Sequence, residues 1–138
     1  NFLSNIIKRT DLLVLNKEEA SLLIGNEPTE SLLLKLKQAG PKIVVITDGK
    51  NVLCVIDGNH IYTARPPYVK VVDSTGAGDA FASSFLSGIL KKKDISFAIK
   101  LGIVNSTSVL TNYGAKNILL NYKQALRNMK KLKNKISF

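Results

Sequence analysis

Short apolar runs alternate along this chain with stretches in which apolar residues recur at helical spacing. Residues 11–15 (Asp-Leu-Leu-Val-Leu) show almost no polar alternation and predict a short buried strand. Asn16 is a good helix N-cap, and Glu18 and Glu19 supply acids for a first turn. Gly25-Asn26 then stops a helix expected over residues 17–24. A second helix is expected over residues 30–39, ended by Gly40-Pro41. Residues 42–47 (Lys-Ile-Val-Val-Ile-Thr) predict another buried strand, rich in β-branched side chains. Residues 48–51 read as a turn and residues 52–56 as a third strand. Asp57-Gly58-Asn59 marks a hairpin turn into residues 61–63. Arg65-Pro66-Pro67 breaks regular structure. A helix of small residues over 80–90 suits close packing on a sheet. Lys91, Lys92 and Lys93 close it, at the end that favours cations. A long helix begins at Asp94 or Ser96 and runs to about Leu110. Tyr113-Gly114-Ala115 follows, and a last helix is expected over residues 121–133.

Strands alternating with helices give the α/β class with a mainly parallel sheet, to which the central hairpin is an antiparallel addition. Phe2, Leu3, Ile6 and Ile7 fall at helical spacing, like the last turns of a helix whose partner sheet lies upstream. The expectation is a single α/β domain over residues 1–138, forming the C-terminal part of a longer protein.

Composition narrows the classes. The chain has 138 residues, 45% of them apolar, which suits a folded core rather than disorder. One Cys and one His exclude a disulfide framework within the chain and a zinc site built from cysteines and histidines. The cysteine count suits a reducing compartment, so a cytoplasmic location is expected. The longest apolar runs, residues 12–15 and 43–46, are far too short to span a bilayer, and no membrane partner is expected. Twenty Lys and Arg against ten Asp and Glu give a net charge of +10, which raises the question of nucleic acid. The cations at 91–93, 123, 127, 130, 131, 133 and 135 read as a solvated helix face. Tyr122 is the only aromatic residue among them before Phe138, where single-strand binding would prefer several. Nucleic acid is therefore not the expected partner. His60 falls in the hairpin and Cys54 in a strand, and neither is assigned a role.

Residues 73–79 (Asp-Ser-Thr-Gly-Ala-Gly-Asp) carry the chemistry. Gly76, Ala77 and Gly78 are small enough for backbone N–H groups to approach an anion, and they lie just ahead of a helix N-terminus. Asp79 stands at the helix start beside that cradle, where a carboxylate can accept the proton of a substrate hydroxyl. Together these are the parts of a minimal phosphoryl-transfer site. Gly-x-Gly turns are common, however, and an Asp at a helix start often only caps it. The segment alone leaves both readings open. It is not a Walker A loop, because no Gly-Lys-Ser/Thr follows. Nor is it a dinucleotide fingerprint, because Phe81 stands at the third Gly position.

Residues 72–85 (Val-Asp-Ser-Thr-Gly-Ala-Gly-Asp-Ala-Phe-Ala-Ser-Ser-Phe) resemble the second signature of the PfkB, or ribokinase-like, carbohydrate kinase family. Asn16 and Glu19 resemble its Asn-x-x-Glu motif, and Thr47-Asp48-Gly49 its Thr-x-Gly turn. The Gly114-Ala115 pair also fits, so the resemblance runs from Asp11 to about Leu120. It implies a three-layer, Rossmann-like ribokinase fold. It also implies ATP-dependent phosphorylation of a hydroxyl on a sugar or nucleoside-like molecule. By resemblance, Asp79 is the general base and Gly76, Ala77 and Gly78 form the anion hole. Thr47 and Gly49 contact the nucleotide phosphates or ribose, and Asn105, Ser108 and Gly114 belong to the adenine pocket. Asn16 and Glu19 organise Mg2+ through water, and the backbone near Asp73 binds a monovalent cation such as K+. A homodimer is expected for the full-length protein.

From the residues alone, Asn16 also reads as a plain N-cap and Glu19 as its capping-box partner. Ser84 departs from the family pattern, which usually has Gly there, and Val52 stands where a further Gly is common. Family members are typically about twice as long as this chain, and the missing half supplies most sugar contacts. Two other classes stay open. One is a non-catalytic relative that binds nucleotide, and the other is a basic nucleic-acid-binding module.

Overall fold

In a computed structural model, which describes residues 2–114, 118–131 and 136–137, the chain divides into two compact units. The first is Asn1–Arg65 with Ser137–Phe138, and the second is Pro66–Ile136. Nearly all the excess positive charge lies in the second. Its 12 Lys and Arg against 3 Asp leave +9, whereas the first unit has 8 Lys and Arg against 7 acids, leaving +1.

The first unit contains α1 (Phe2–Lys8), β1 (Leu12–Asn16), α2 (Lys17–Ile24), α3 (Thr29–Gln38), β2 (Ile43–Thr47), β3 (Leu53–Asp57) and β4 (His60–Ala64). Strands β1 and β2 pair in parallel, from Leu12 opposite Ile43 to Asn16 opposite Thr47. Helices α2 and α3 form the crossover that a parallel pair requires. β2–β3 and β3–β4 are antiparallel ladders, and the hairpin closes at Asp57 opposite His60. The α/β class is thus observed, but within this chain the sheet is mixed rather than mainly parallel. The links at residues 48–52 and 58–59 are too short for a crossover, so antiparallel pairing is what they allow. Sheet order is β1-β2-β3-β4-β5, with the two-residue β5 (Ile136–Ser137) last.

Alternation along β2 and β3 explains the core. Val44, Ile46 and Ile56 pack with Ala20, Leu32, Leu33 and Leu36 of α2 and α3, joined by the partly buried Leu13, Leu15, Cys54 and Ile61. Val45, Leu53 and Val55 alternate with that set and are buried too. Both faces of the central strands are therefore apolar and covered, which is why their sequences read as continuous apolar runs. Leu3 and Ile6 on α1 are exposed, at 43% and 47%, while Ile7 is half-buried.

The second unit contains α4 (Ala77–Lys92), α5 (Ile95–Leu110) and α6 (Tyr122–Lys131). Asp94 caps α5 by accepting the Phe97 N–H at 2.9 Å. Helices α4 and α5 meet at very short range. A Cβ on Gly88 would lie 2.7 Å from Ala98 Cα, and one on Gly102 would lie 2.8 Å from the Phe81 ring. Only glycine permits that approach. Ala125 of α6 is buried with Leu101 and Val104, and Phe97, Leu120 and Met129 pack around them. Lys91 Nζ sits 4.7 Å from the centroid of the Tyr122 ring. Lys123, Arg127, Lys130 and Lys131 are exposed. Lys133, Lys135 and Ala115 lie outside the described residues. No described helix is long and apolar enough to cross a membrane.

Candidate active site

In the first unit the candidate residues gather at the carboxyl ends of the parallel strands, where ligands bind in open α/β sheets. Asn16 ends β1 opposite Thr47, which ends β2. The Thr47 hydroxyl points back to the Leu15 carbonyl oxygen at 3.5 Å. Asp48 is held by Lys17 Nζ at 3.6 Å, and Gly49 turns the chain with φ +54°. Asn16 and Glu19 form a capping box. Asn16 Oδ1 accepts the Glu19 N–H at 2.8 Å, and Glu19 Oε2 accepts the Asn16 N–H at 2.9 Å. Both residues remain exposed, and Glu19 Oε1 has no partner among the described residues. That free oxygen fits a hydrated Mg2+, which keeps several waters and takes few direct carboxylates. Among the described residues, no group of three or more His, Cys, Asp or Glu could hold a metal ion.

In the second unit, the cradle is a turn that delivers a helix N-terminus. Ala77 N–H donates to the Ser74 carbonyl at 3.2 Å, and Gly76 sits in the left-handed region with φ +79°. Glycine adopts that φ without the Cβ clash other residues suffer. The helix starts at Ala77, three residues earlier than the small-residue pattern suggested, and Asp79, expected at the helix start, falls within its first turn. The N–H groups of Gly78 and Asp79 have no acceptor inside the helix at these positions. Among the described residues nothing else accepts from them. A Cβ on Gly78 would meet nothing within 4 Å. Open donors beneath open space, at the positive end of the helix, fit an anionic oxygen group. The Asp79 carboxylate is exposed and makes no hydrogen bond or ion pair among the described residues, while its carbonyl accepts from Ser83 Oγ at 2.8 Å.

Asp73 was expected to matter through its backbone. The structure shows its side chain at work as well, and sequence reasoning missed this. Oδ1 accepts the Thr75 N–H at 2.9 Å, a local turn that the Asp-x-Thr spacing could have signalled. Oδ2 accepts the Gly114 N–H at 3.4 Å. The Thr75 backbone N–H, then the Thr75 hydroxyl, and more weakly the Gly114 N–H hold the Asp73 carboxyl below its ordinary pKa, against a small opposing effect of burial. Val72 N–H donates to the Leu110 carbonyl at 2.8 Å, so the segment before the cradle is tied to the end of α5.

Asn105 and Ser108, expected at the adenine pocket, make bonds within the second unit. Asn105 spends its amide on Ser84 and on the Leu120 N–H, and Ser108 Oγ donates to the Ile118 carbonyl at 2.9 Å. Cys54 is half-buried. Burial first, then the charges of Glu30 and Asp48, push its thiol pKa up, away from nucleophilic use.

Comparison with known proteins gives the family and the fold. Residues 2–121 match the family described as pfkB family carbohydrate kinase, and this chain belongs to that family. It is 32% identical over 114 residues to an ATP-dependent 6-phosphofructokinase of Thermoanaerobacterium thermosaccharolyticum, covering 83% of this chain and 35% of that protein. It is 32% identical over 116 residues to a cytidine kinase of Thermococcus kodakarensis, covering 83% of this chain and 42% of that one. Among solved structures, ribokinase from Thermotoga maritima superposes with a TM-score of 0.84 at 23% identity, over 92% of this chain and 44% of that one. Arabidopsis thaliana ribokinase, solved with ribose and ATP, gives 0.83 at 25% identity, over 92% and 43%. The ribokinase-type fold is thereby established. The chain spans less than half the length of these relatives.

Proposed function

We propose that this chain carries the phosphoryl-transfer machinery of an ATP-dependent kinase acting on a hydroxyl of a sugar or nucleoside-like molecule. One observation carries the reading: a left-handed turn at Gly76 presents open N–H donors at the start of α4, one turn from the exposed carboxylate of Asp79, which has no partner among the described residues. The names of its relatives, which are kinases for sugars and a nucleoside, support it.

In this reading Asp79 takes the proton of the acceptor hydroxyl as that oxygen attacks the γ-phosphorus of ATP. The bond from the γ-phosphorus to the bridging oxygen breaks, and ADP leaves with the electron pair. Gly76, Ala77 and Gly78 surround the transferring group, and the free N–H donors stabilise the negative charge on its equatorial oxygens. Thr47 and Gly49 contact nucleotide phosphate or ribose. Gly114, with the segment held by Ser108, contributes to the adenine side. Asn16 and Glu19 would hold Mg2+ through water, where the ion would neutralise phosphate charge. K+ near Asp73, a homodimer and a cytoplasmic location complete the proposal.

The test uses the full-length gene product with ATP, Mg2+ and a panel of sugars and nucleosides, beside its Asp79→Asn variant. An amide cannot take the proton, so turnover should fall about 10²-fold or more while nucleotide binding persists. Near wild-type turnover in the variant would overturn the assignment of the base.

A further inference from the structure

Helices α4 and α5 are packed through apolar side chains and glycines, with one exception. Ser84 on α4 and Asn105 on α5 are the only buried polar side chains among the described residues, 6% and 9% exposed. Asn105 Nδ2 donates to Ser84 Oγ at 2.7 Å, and Asn105 Oδ1 accepts the Leu120 N–H at 2.9 Å. This amide orientation is the one in which both partners are satisfied. No buried side-chain nitrogen or oxygen among the described residues is left without a partner.

The bridge has a direction. Ser84 lies on the helix that begins with the cradle and Asp79. Leu120 lies in the connection between α5 and α6, which Ser108 also holds at Ile118. The other end of that connection, at Gly114, is held by Asp73, just before the cradle. Two buried polar groups gain little net stability over an apolar pair of the same shape. What they add is one fixed placement, because any shift leaves a buried donor or acceptor unpaired.

Resting on the kinase reading, we propose that Ser84 and Asn105 are positioning residues for nucleotide binding. Their bridge sets residues 118–120 against α4, the helix that begins with the phosphate cradle.

The experiment compares wild type, Asn105→Ala, Asn105→Asp and Ser84→Ala in the full-length gene product. It measures MgATP affinity by calorimetry, melting temperature and exchange of the Leu120 amide proton. Asn105→Ala should weaken MgATP about tenfold, equivalent to one or two lost hydrogen bonds, and speed Leu120 exchange. Asn105→Asp can still accept from the Leu120 N–H and from the Ser84 hydroxyl, and should recover most of the affinity. If Asn105→Ala does not fold, Ser84→Ala, which keeps the Leu120 bond, should still cost about threefold. A folded Asn105→Ala with wild-type MgATP affinity and only a lowered melting temperature would make the pair packing alone. An Asn105→Asp no better than Asn105→Ala would also overturn the proposal. Failure of the wild-type protein to bind MgATP would instead sink the kinase reading, and this inference with it.

Discussion

Gly78→Val separates the fold from the ligand site. Gly78 is exposed, second in α4, outside the positive-φ region, and an added Cβ meets nothing within 4 Å. Exchanging glycine for valine in a helix shifts its intrinsic propensity by only a few tenths of a kcal/mol. Folding stability should therefore stay within about 0.5 kcal/mol of wild type. The ligand faces a different situation. Phosphate oxygens must come within about 2.9 Å of the N–H groups at Gly78 and Asp79. An isopropyl group in that space keeps them away. Two charge-assisted hydrogen bonds are then lost, at about 1.5 kcal/mol each. The sum of about 3 kcal/mol corresponds to roughly 100-fold weaker binding. Calorimetric titration of the full-length product with MgATP, beside a melting curve, reads both quantities. Gly76→Ala is the contrast, because φ +79° puts about 1 kcal/mol of strain into the fold itself. A folded Gly78→Val protein with wild-type nucleotide affinity would refute the cradle.

Glu19→Gln keeps an oxygen for the Asn16 N–H and should leave melting unchanged. Loss of the charge should raise the Mg2+ concentration for half-maximal activity about tenfold, and an unchanged Mg2+ dependence would leave capping as its only role. The Asp73 carboxyl is held below its ordinary value of 3.8. Its stabilising contribution is thus complete above that pH and lost as pH falls through the lower folded value. Asp73→Asn keeps the Thr75 turn, so its melting temperature should fall less steeply than wild type below that pH, and parallel curves would contradict the tie. Gly88→Ala forces a Cβ to 2.7 Å from Ala98 Cα. Overpacking of about 1–3 kcal/mol should outweigh the helix-propensity gain of about 1 kcal/mol, and a raised melting temperature would show that the helices separate freely.

Features decided by near neighbours were legible in the sequence. The capping box at Asn16 and Glu19 and the run at residues 43–46 depend on side chains a few positions apart, whereas the sequence leaves the start of α5 at Asp94 or Ser96 and the Phe97 N–H bond places it at Asp94. The start of α4 was placed late because Gly76, Ala77 and Gly78 look like loop, whereas Gly76 turns the chain and the next two residues are already helical. Sheet direction follows connection length, and the short link at residues 48–52 outweighs the α/β alternation around it. The Asn105–Ser84 and Asp73–Gly114 bonds join residues 21 and 41 positions apart. Small polar residues carry no periodicity that reveals such partners.

Strand β1 is first in the sheet order, with β2 its only partner among the described residues. Its outer margin is a row of backbone donors and acceptors under Leu-Leu-Val-Leu, with neither a charge nor a proline among those four residues. Natural sheets usually interrupt such a margin with a lysine, a proline or a bulge, because it is a template on which another copy can add a strand. Any polypeptide that covered β1 would therefore have a protective task besides any catalytic one. With that margin uncovered, residues 12–15 are where aggregation is expected to begin.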